Sequence, residues 1–326
     1  MAAATTRRSA TRLLKGSHTT RRQRRRRSLI AALVVVVLVG TAAVVTGLLV
    51  PLPGGTTDVS AKTAAAPRTT ATTSTPQKAS PSASAASASP SPSTTPTPAV
   101  FPLPGNFRKA QLWIAKRTGF LGLAVIDSSG HLYGWHAGRM FISGSVTKAM
   151  LMVQYLRTHA TITSDMREVL TSMIEVSDND AADIVYAATG CDYGLSHVAH
   201  RAHMRHFVAN RGFWGNSFIN AADQARFFFS MDKLIPKRHL AFARLMLSHI
   251  VSWESYGIPA VARPYWRVYF KGGWRSGLHG NRLIHQVARL EHGKTVFAVA
   301  IMTDGDPTDA YGRATLQGVT KRLLGK

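Results

Sequence analysis

A serine and a lysine three residues apart form the most reactive pattern in this 326-residue sequence. Ser145 and Lys148 stand at the start of an apolar stretch that predicts a helix over residues 145–159. A spacing of three brings the two side chains together across one helical turn. A lysine kept neutral by its surroundings can accept the serine proton, and the helix N-terminus favours the resulting anion. The pattern predicts a nucleophile and its base, against the alternative of a helix cap beside a surface lysine.

The same spacing occurs a second time, at Ser230 and Lys233. Here the lysine stands at the end of a predicted helix, and no further catalytic pattern follows in order. We therefore interpret this second pair as structural.

Two more motifs follow the first pair in the chain. A Ser-Asp-Asn run begins at Ser177 and ends at Asn179, so that a hydroxyl can relay a proton and an amide can bind a substrate carbonyl. The alternative for this run is an ordinary helix cap. Lys271 then offers a cation for a substrate carboxylate, and Gly273 offers a backbone without Cβ against which an acyl chain can lie. Trp274 follows directly and is expected to line the site, although the glycines are also compatible with a bulged edge strand.

The three motifs, in this order, make the chain resemble the class A β-lactamases and the related penicillin-binding D-alanyl-D-alanine peptidases. The resemblance covers residues 107–324. The chain also resembles shorter, membrane-attached serine-hydrolase-like proteins of high-GC Gram-positive bacteria, which share its K-G-G-W and D-G-D-P stretches.

The resemblance implies a role for each matching residue. Ser145 would be acylated, and Lys148 and Ser177 would move the proton. Asn179 would hold the substrate amide, and Lys271 would meet the substrate carboxylate. The backbone N–H groups of Ser145 and Trp274 would form the oxyanion hole.

The sequence departs from the family pattern at three points. Gly272 replaces the usual Thr or Ser, which removes one hydroxyl contact to a carboxylate. The interval between Ser145 and Ser177 is shorter than in β-lactamases, so part of the rim is expected to be absent. Residues 193–222 contain no acid, whereas class A enzymes carry in this region a glutamate that activates the deacylating water. We therefore expect acylation to survive and rapid β-lactam hydrolysis to be lost.

The elements around these motifs predict an α/β sandwich. Strands at both ends of the domain surround a helical middle, which indicates an antiparallel sheet with helices on both faces. Strands are predicted at 121–127, 131–136, 266–271, 283–291 and 296–303. Further helices are predicted at 106–117, 165–189, 193–204, 221–234, 237–250 and 311–324.

The first hundred residues differ from the rest in composition. Residues 1–28 are basic and are expected in the cytoplasm, and the apolar run 29–50 is long enough for a transmembrane helix. A cleaved twin-arginine signal is the competing interpretation. Residues 51–100, rich in Ala, Ser, Thr and Pro, predict a disordered linker. The prediction is a protein of the cell membrane with its hydrolase domain, residues 101–326, on the extracytoplasmic side.

Charge and cysteine content limit the other classes. The net charge of +24 includes ten basic residues before position 29, while residues 101–326 carry 27 Lys and Arg against 15 Asp and Glu. This distributed excess does not specify nucleic acid. Cys191 is the sole cysteine, so no intramolecular disulfide forms. The histidines at 197, 200, 203 and 206 are interpreted as a solvated basic face, and neither a metal nor a cofactor is expected.

The leading hypothesis is an acyl-enzyme formed with a β-lactam or with a peptidoglycan stem peptide that ends in D-alanine. Its rival is a catalytically weakened domain that binds peptidoglycan or a partner protein in the same groove. A weaker third reading is a membrane protein that binds polyanions.

Overall fold

A computed structural model describes residues 104–279 and 281–326. The predicted basic tail, transmembrane helix and linker, residues 1–28, 29–50 and 51–100, lie outside these described residues. Among the described helices, none is long and apolar enough to cross a membrane.

The described part of the chain forms one five-stranded antiparallel sheet and a short two-stranded one. The larger sheet has the order β2-β1-β7-β6-β5, so that strands from the two ends of the domain pair at its centre. This confirms the predicted sheet. Its strands are β1 (Phe120–Ile126), β2 (Leu132–Trp135), β5 (Arg267–Ser276), β6 (Arg282–His292) and β7 (Thr295–Asp306), and the small sheet pairs β3 (Phe141–Ile142) with β4 (Phe218–Ile219).

Helices cover both faces of the larger sheet. Along β6, Ile284 and Gln286 face the terminal helix, whereas His285 and Arg289 face the helical middle, as the alternation of a strand requires. The helices are α1 (Pro104–Ile114), α2 (Thr147–Thr158), α3 (Ser164–Glu175), α4 (Asn179–Ala188), α5 (Cys191–Arg201), α6 (Ala221–Leu234), α7 (Lys237–Ser248), α8 (Ile258–Ala262) and α9 (Asp309–Leu323).

The helix predicted over residues 165–189 is wrong as a single helix. It is divided into α3 and α4 by three residues, and Ser177 among them has a left-handed backbone with φ of 56°. Asp178 then caps α4, because its carboxylate accepts a hydrogen bond of 3.0 Å from the N–H of Ala181. At this break the buried hydroxyl of Ser177 accepts hydrogen bonds from both Lys148 and Lys271.

His285 joins the centre of the sheet to the strand that precedes Ser145. Its Nδ1 accepts a hydrogen bond of 3.1 Å from the N–H of Thr303, and its Nε2 therefore donates to the carbonyl of Ile142 at 2.9 Å. The imidazole is fully buried, and this burial lowers its pKa from 6.5 to about 4. The neutral ring thus holds β3, and with it the turn that carries Ser145, against β6.

This burial predicts a loss of stability in acid. Between pH 6.5 and about 4 the unfolded chain binds a proton at His285 that the folded chain does not. The free energy of unfolding should therefore decrease as the pH is lowered through this window, by up to about 3 kcal/mol. Urea denaturation of the full chain at several pH values measures it.

Two histidine variants separate the pH dependence caused by His285 from that caused by other titrating groups. The pKa of Asp306 is raised by burial to about 6, which gives a dependence of opposite sign in an overlapping window. His285→Gln should remove only the histidine contribution, while His249→Gln, at an exposed site, should keep it. Equal pH slopes in wild type and His285→Gln would refute the prediction.

Candidate active site

Ser145 lies in a tight turn that leads into α2. The turn is a 3₁₀ helix, Gly144–Val146, and α2 begins only at Thr147, two residues later than predicted. Gly273 of β5 packs against this turn, because a Cβ at that position would lie 3.0 Å from the Ser145 nitrogen. A Cβ on Gly144 would similarly lie 3.5 Å from the Trp274 nitrogen. The glycines therefore allow the close approach that brings the two backbone N–H groups near one another.

This packing gives Gly273 a structural role beside the one expected. Its missing Cβ makes room for the backbone at Ser143 and Ser145, whereas the prediction that an acyl chain lies against Gly273 stays a prediction.

Lys148 contacts the Ser-Asp-Asn motif, which agrees with the roles that the resemblance implies. The buried Lys148 ammonium donates to the carbonyl of Ser177 at 2.5 Å, to Oδ1 of Asn179 at 2.7 Å and to Oγ of Ser177 at 3.3 Å. The indole of Trp214 covers it, with Nζ 4.8 Å from the ring centroid. Side chains from α2, α4 and the loop before α6 thus enclose a single amine.

The pKa of Lys148 is lowered from 10.5 to about 7. Burial is the largest cause, and the positive charge of Lys271 adds to it; Glu254, Asp178 and Asp183 act in the opposite direction. Near neutral pH a large share of Lys148 is therefore a free amine. Such an amine, three residues from a serine hydroxyl, can act as a general base.

Lys271 is buried in an ion pair that the sequence analysis missed. Its Nζ lies 3.1 Å from Oε2 of Glu254, and neither side chain is exposed. The same ammonium donates to Oγ of Ser177 at 3.1 Å and to the carbonyl of Gly272 at 3.3 Å. Burial lowers the pKa of Lys271 and raises that of Glu254, while the attraction within the pair opposes both shifts.

The position of Glu254 explains why it escaped notice. It ends a 3₁₀ turn, Ser252–Glu254, between α7 and α8, outside the three motifs. One signal was present, because Glu254 is the only acid between Asp232 and Glu291. A solitary acid amid aromatic and apolar residues indicates a buried partner of opposite charge.

A pocket of about 330 Å³ opens beside the serine turn. It brings Ser145, Asn179 and Trp274 together on one surface. The other predicted site residues, Lys148, Ser177, Lys271 and Gly273, are buried and are not among the described residues that line it. The lining residues are Gly144, Ser145, Asn179, Phe213, Trp214, Gly215, Trp274, Arg275 and Ser276.

The segment without acids supplies the aromatic side of the pocket. Trp214 is almost fully buried, and its Nε1 donates to Oδ1 of Asp183 at 2.8 Å. Its carbonyl accepts hydrogen bonds of 3.3 Å from the hydroxyls of Ser143 and Thr147, which flank the nucleophile turn. An indole therefore lies against Lys148 in the segment where the resemblance places a catalytic glutamate.

Comparisons with solved structures agree with this fold. A β-lactamase from Chitinophaga pinensis has a TM-score of 0.59 at 13% identity, covering 68% of this chain and 98% of its own. A class A β-lactamase from Bacteroides cellulosilyticus has a TM-score of 0.59 at 14% identity, covering 69% and 98%. The extended-spectrum β-lactamase TLA-1 has a TM-score of 0.59 at 11% identity, covering 68% and 98%. No curated protein matches the chain.

Residues 146–326 match the sequence profile of the Beta-lactamase enzyme family, which is more than half of the chain. This match, together with the fold, supports a serine hydrolase. The chain belongs to the Beta-lactamase enzyme family.

Proposed function

We propose that this protein forms an acyl-enzyme on Ser145 with a β-lactam or with a wall peptide that ends in D-alanine. The observation that carries the proposal is the lowered pKa of Lys148, about 7, in a side chain bonded to both Ser177 and Asn179. A base with a pKa near the working pH is best placed to take the serine proton.

The contacts between Lys148 and Ser177 suit one sequence of bond changes, in which Ser145 is the nucleophile. Oγ of Ser145 attacks the carbonyl carbon while its proton passes to Nζ of Lys148. The resulting oxyanion accepts hydrogen bonds from the N–H groups of Ser145 and Trp274. The intermediate collapses with cleavage of the C–N bond, and the leaving nitrogen takes the proton of the Ser177 hydroxyl. Lys148, which donates to that oxygen at 3.3 Å, returns a proton to it.

Slow deacylation is the second part of the proposal. Hydrolysis of the ester needs a water molecule beside a base. The indole of Trp214, 4.8 Å from the Lys148 amine and held by Asp183, occupies one side of that amine. Residues 193–222 offer no carboxylate in compensation. The acyl-enzyme should therefore persist.

The location of the protein is inferred from the sequence outside the described residues. The apolar run 29–50 follows a cluster of arginines, which favours a single membrane span with the hydrolase domain outside the cytoplasm. Substrates with D-alanine termini belong to the cell wall, so this location would bring enzyme and substrate together.

The test uses the full chain and a fluorescent penicillin. Wild type should form a covalent adduct, visible by mass spectrometry, that lasts for many turnovers of a rapid β-lactamase. Ser145→Ala should form none, because the nucleophile is missing. Ser230→Ala is the matched control: it alters the second S-x-x-K pair, whose hydroxyl bonds only the helix carbonyl of Arg226 among the described residues, and should leave adduct formation unchanged.

The other outcomes separate the rival function. Rapid loss of the drug without a lasting adduct would contradict slow deacylation. Neither adduct nor hydrolysis would remove the acyl-enzyme and favour a binding module that uses the same pocket.

A further inference from the structure

A second pocket lies at the end of β5 that is remote from Ser145. It has a volume of about 440 Å³ and is formed by the segment between α8 and β5, the start of β5 and the turn between β6 and β7. Arg267 marks its position on β5. Gly273, which packs against the serine turn, stands six residues further along the strand, a distance of about 20 Å at the rise of a β-strand. This pocket is therefore separate from the one beside Ser145.

Two guanidinium groups line this second pocket, and neither has an acid as its partner. Arg267 is exposed, and no described residue forms an ion pair or a hydrogen bond with its side chain. Arg263 donates from Nη1 to Oγ of Ser255 at 3.0 Å and from Nη2 to the carbonyl of Ser248 at 3.2 Å, and both partners are neutral. Partial burial lowers the pKa of Arg263, and no carboxylate of the described residues opposes the shift. The two positive charges are thus uncompensated.

The acid that lines the pocket is already paired elsewhere. Glu291 of β6 lies directly opposite Arg267 in the sheet, a position that favours pairing of opposite charges. Its Oε1 instead accepts hydrogen bonds from Nη2 of Arg244 at 3.0 Å and from Nε of Arg289 at 2.7 Å. Asp232 forms ion pairs with the same two arginines, so that two acids and two arginines make a neutral network. Glu291 therefore does not cancel the charge of Arg267.

Aromatic side chains and a histidine complete the wall of the pocket. Nδ1 of His292 donates to the carbonyl of Tyr265 at 2.8 Å, which ties the β6–β7 turn to the segment before β5. The indole of Trp266 packs edge-to-face against this imidazole, with the ring centroids 5.7 Å apart, and the exposed ring of Tyr265 belongs to the same wall. Cations beside aromatic rings suit an anion that is joined to a carbon skeleton.

We propose that this second pocket binds a phosphate ester between Arg263 and Arg267. A phosphate ester presents two or three acceptor oxygens in a tetrahedral arrangement, so it can bind two guanidinium groups that belong to different elements. A carboxylate carries one charge, and its two oxygens match the fork of a single guanidinium, which would leave the second arginine uncompensated. The aromatic rings would pack against the carbon skeleton of the ester. Two sources carry such a group: a soluble phosphorylated sugar and the headgroup of a lipid.

The experiment is calorimetric titration of the full chain with three soluble probes. Glucose 6-phosphate represents the phosphorylated sugar, and dihexanoyl phosphatidylglycerol represents the lipid headgroup. Glucuronate carries a carboxylate on the same kind of ring. Wild type should bind at least one phosphate probe about 10-fold more tightly than glucuronate, because only the phosphate contacts both arginines. The phosphate probe that binds more tightly identifies the source of the ester.

Four variants locate the site. Arg267→Gln should weaken phosphate binding about 10- to 100-fold, since a charge-assisted hydrogen bond is lost, and Arg267→Lys should recover part of this loss by keeping the charge. Arg205→Gln is the matched control: it removes an exposed arginine between α5 and β4 and should change the Kd by less than about twofold. Ser145→Ala should bind the phosphate probe as tightly as wild type, because the two pockets are separate.

Three results would overturn the proposal. Wild type that binds neither phosphate probe has no such site, and wild type that binds glucuronate equally well does not select phosphate. Equal affinity of wild type and Arg267→Gln, or equal losses in Arg267→Gln and Arg205→Gln, would mean that the probe responds to net charge or binds elsewhere. Arg267 is exposed and without a partner among the described residues, so its replacement tests binding without disturbing the fold.

Discussion

Lys148→Met should acylate Ser145 about 10²- to 10⁴-fold more slowly than wild type, since a positioned general base contributes that factor. Methionine fills the buried site with a chain of similar length but cannot accept the serine proton. The amine bonded to Ser177 and Asn179 is also lost, so that proton return to the leaving group fails in the same variant. The measurement is the rate of adduct formation with a fluorescent penicillin.

The pH profile gives the same prediction a second readout. The wild-type rate should rise with pH as Lys148 loses its proton around a pKa of about 7, because only the neutral amine is a base. Lys148→Met should lack this inflection. Lys233→Met, in the second S-x-x-K pair, alters an exposed lysine and should reproduce the wild-type profile. A wild-type rate independent of pH near neutrality would mean that another group removes the proton.

Glu254→Gln should lower the free energy of unfolding by about 3 kcal/mol, the cost of breaking a buried ion pair. The amide keeps the shape of the side chain but leaves the fully buried Lys271 ammonium without a counter-ion. Because burial already lowers the pKa of Lys271, the variant can recover by releasing that proton. The destabilisation should therefore shrink as the pH rises. Urea denaturation of the full chain at two pH values measures both effects.

Two further variants test whether this destabilisation comes from the ion pair of Lys271 and Glu254. Glu168→Gln removes an exposed acid and should change stability little. Adding Lys271→Met to Glu254→Gln removes the unpaired charge, so the double variant should be more stable than the single one. If the double variant loses as much free energy of unfolding as Glu254→Gln and Lys271→Met lose together, the two residues are not coupled. The ion pair then does not contribute to stability.

Several features of this protein depend on short stretches of sequence and were predictable from them. The order of the strands and helices and the antiparallel sheet built from both ends follow from hydrophobic periodicity and turn residues. The contact of Lys148 with Ser177 and Asn179 agrees with the roles implied by the family resemblance. The family resemblance to β-lactamases was predicted in the same way and is confirmed.

The break at Ser177 was missed for a local reason. The helix was predicted from periodicity, and periodicity does not reveal a single residue in the left-handed region. The Asp178 cap was the available signal, because a capping residue within a predicted helix indicates a new start.

Tertiary structure alone decided how two cations of β5 are paired. From the sequence, Lys271 and Arg275 are two basic residues on one strand, and the motif favoured the first. Glu254, seventeen positions before Lys271, neutralises that lysine, whereas residues of the loop at 215–216 orient Arg275 towards the pocket. Burial likewise sets the pKa of Lys148. Charge pairing and desolvation depend on distances between side chains from separate elements, and those distances exist only once the elements pack.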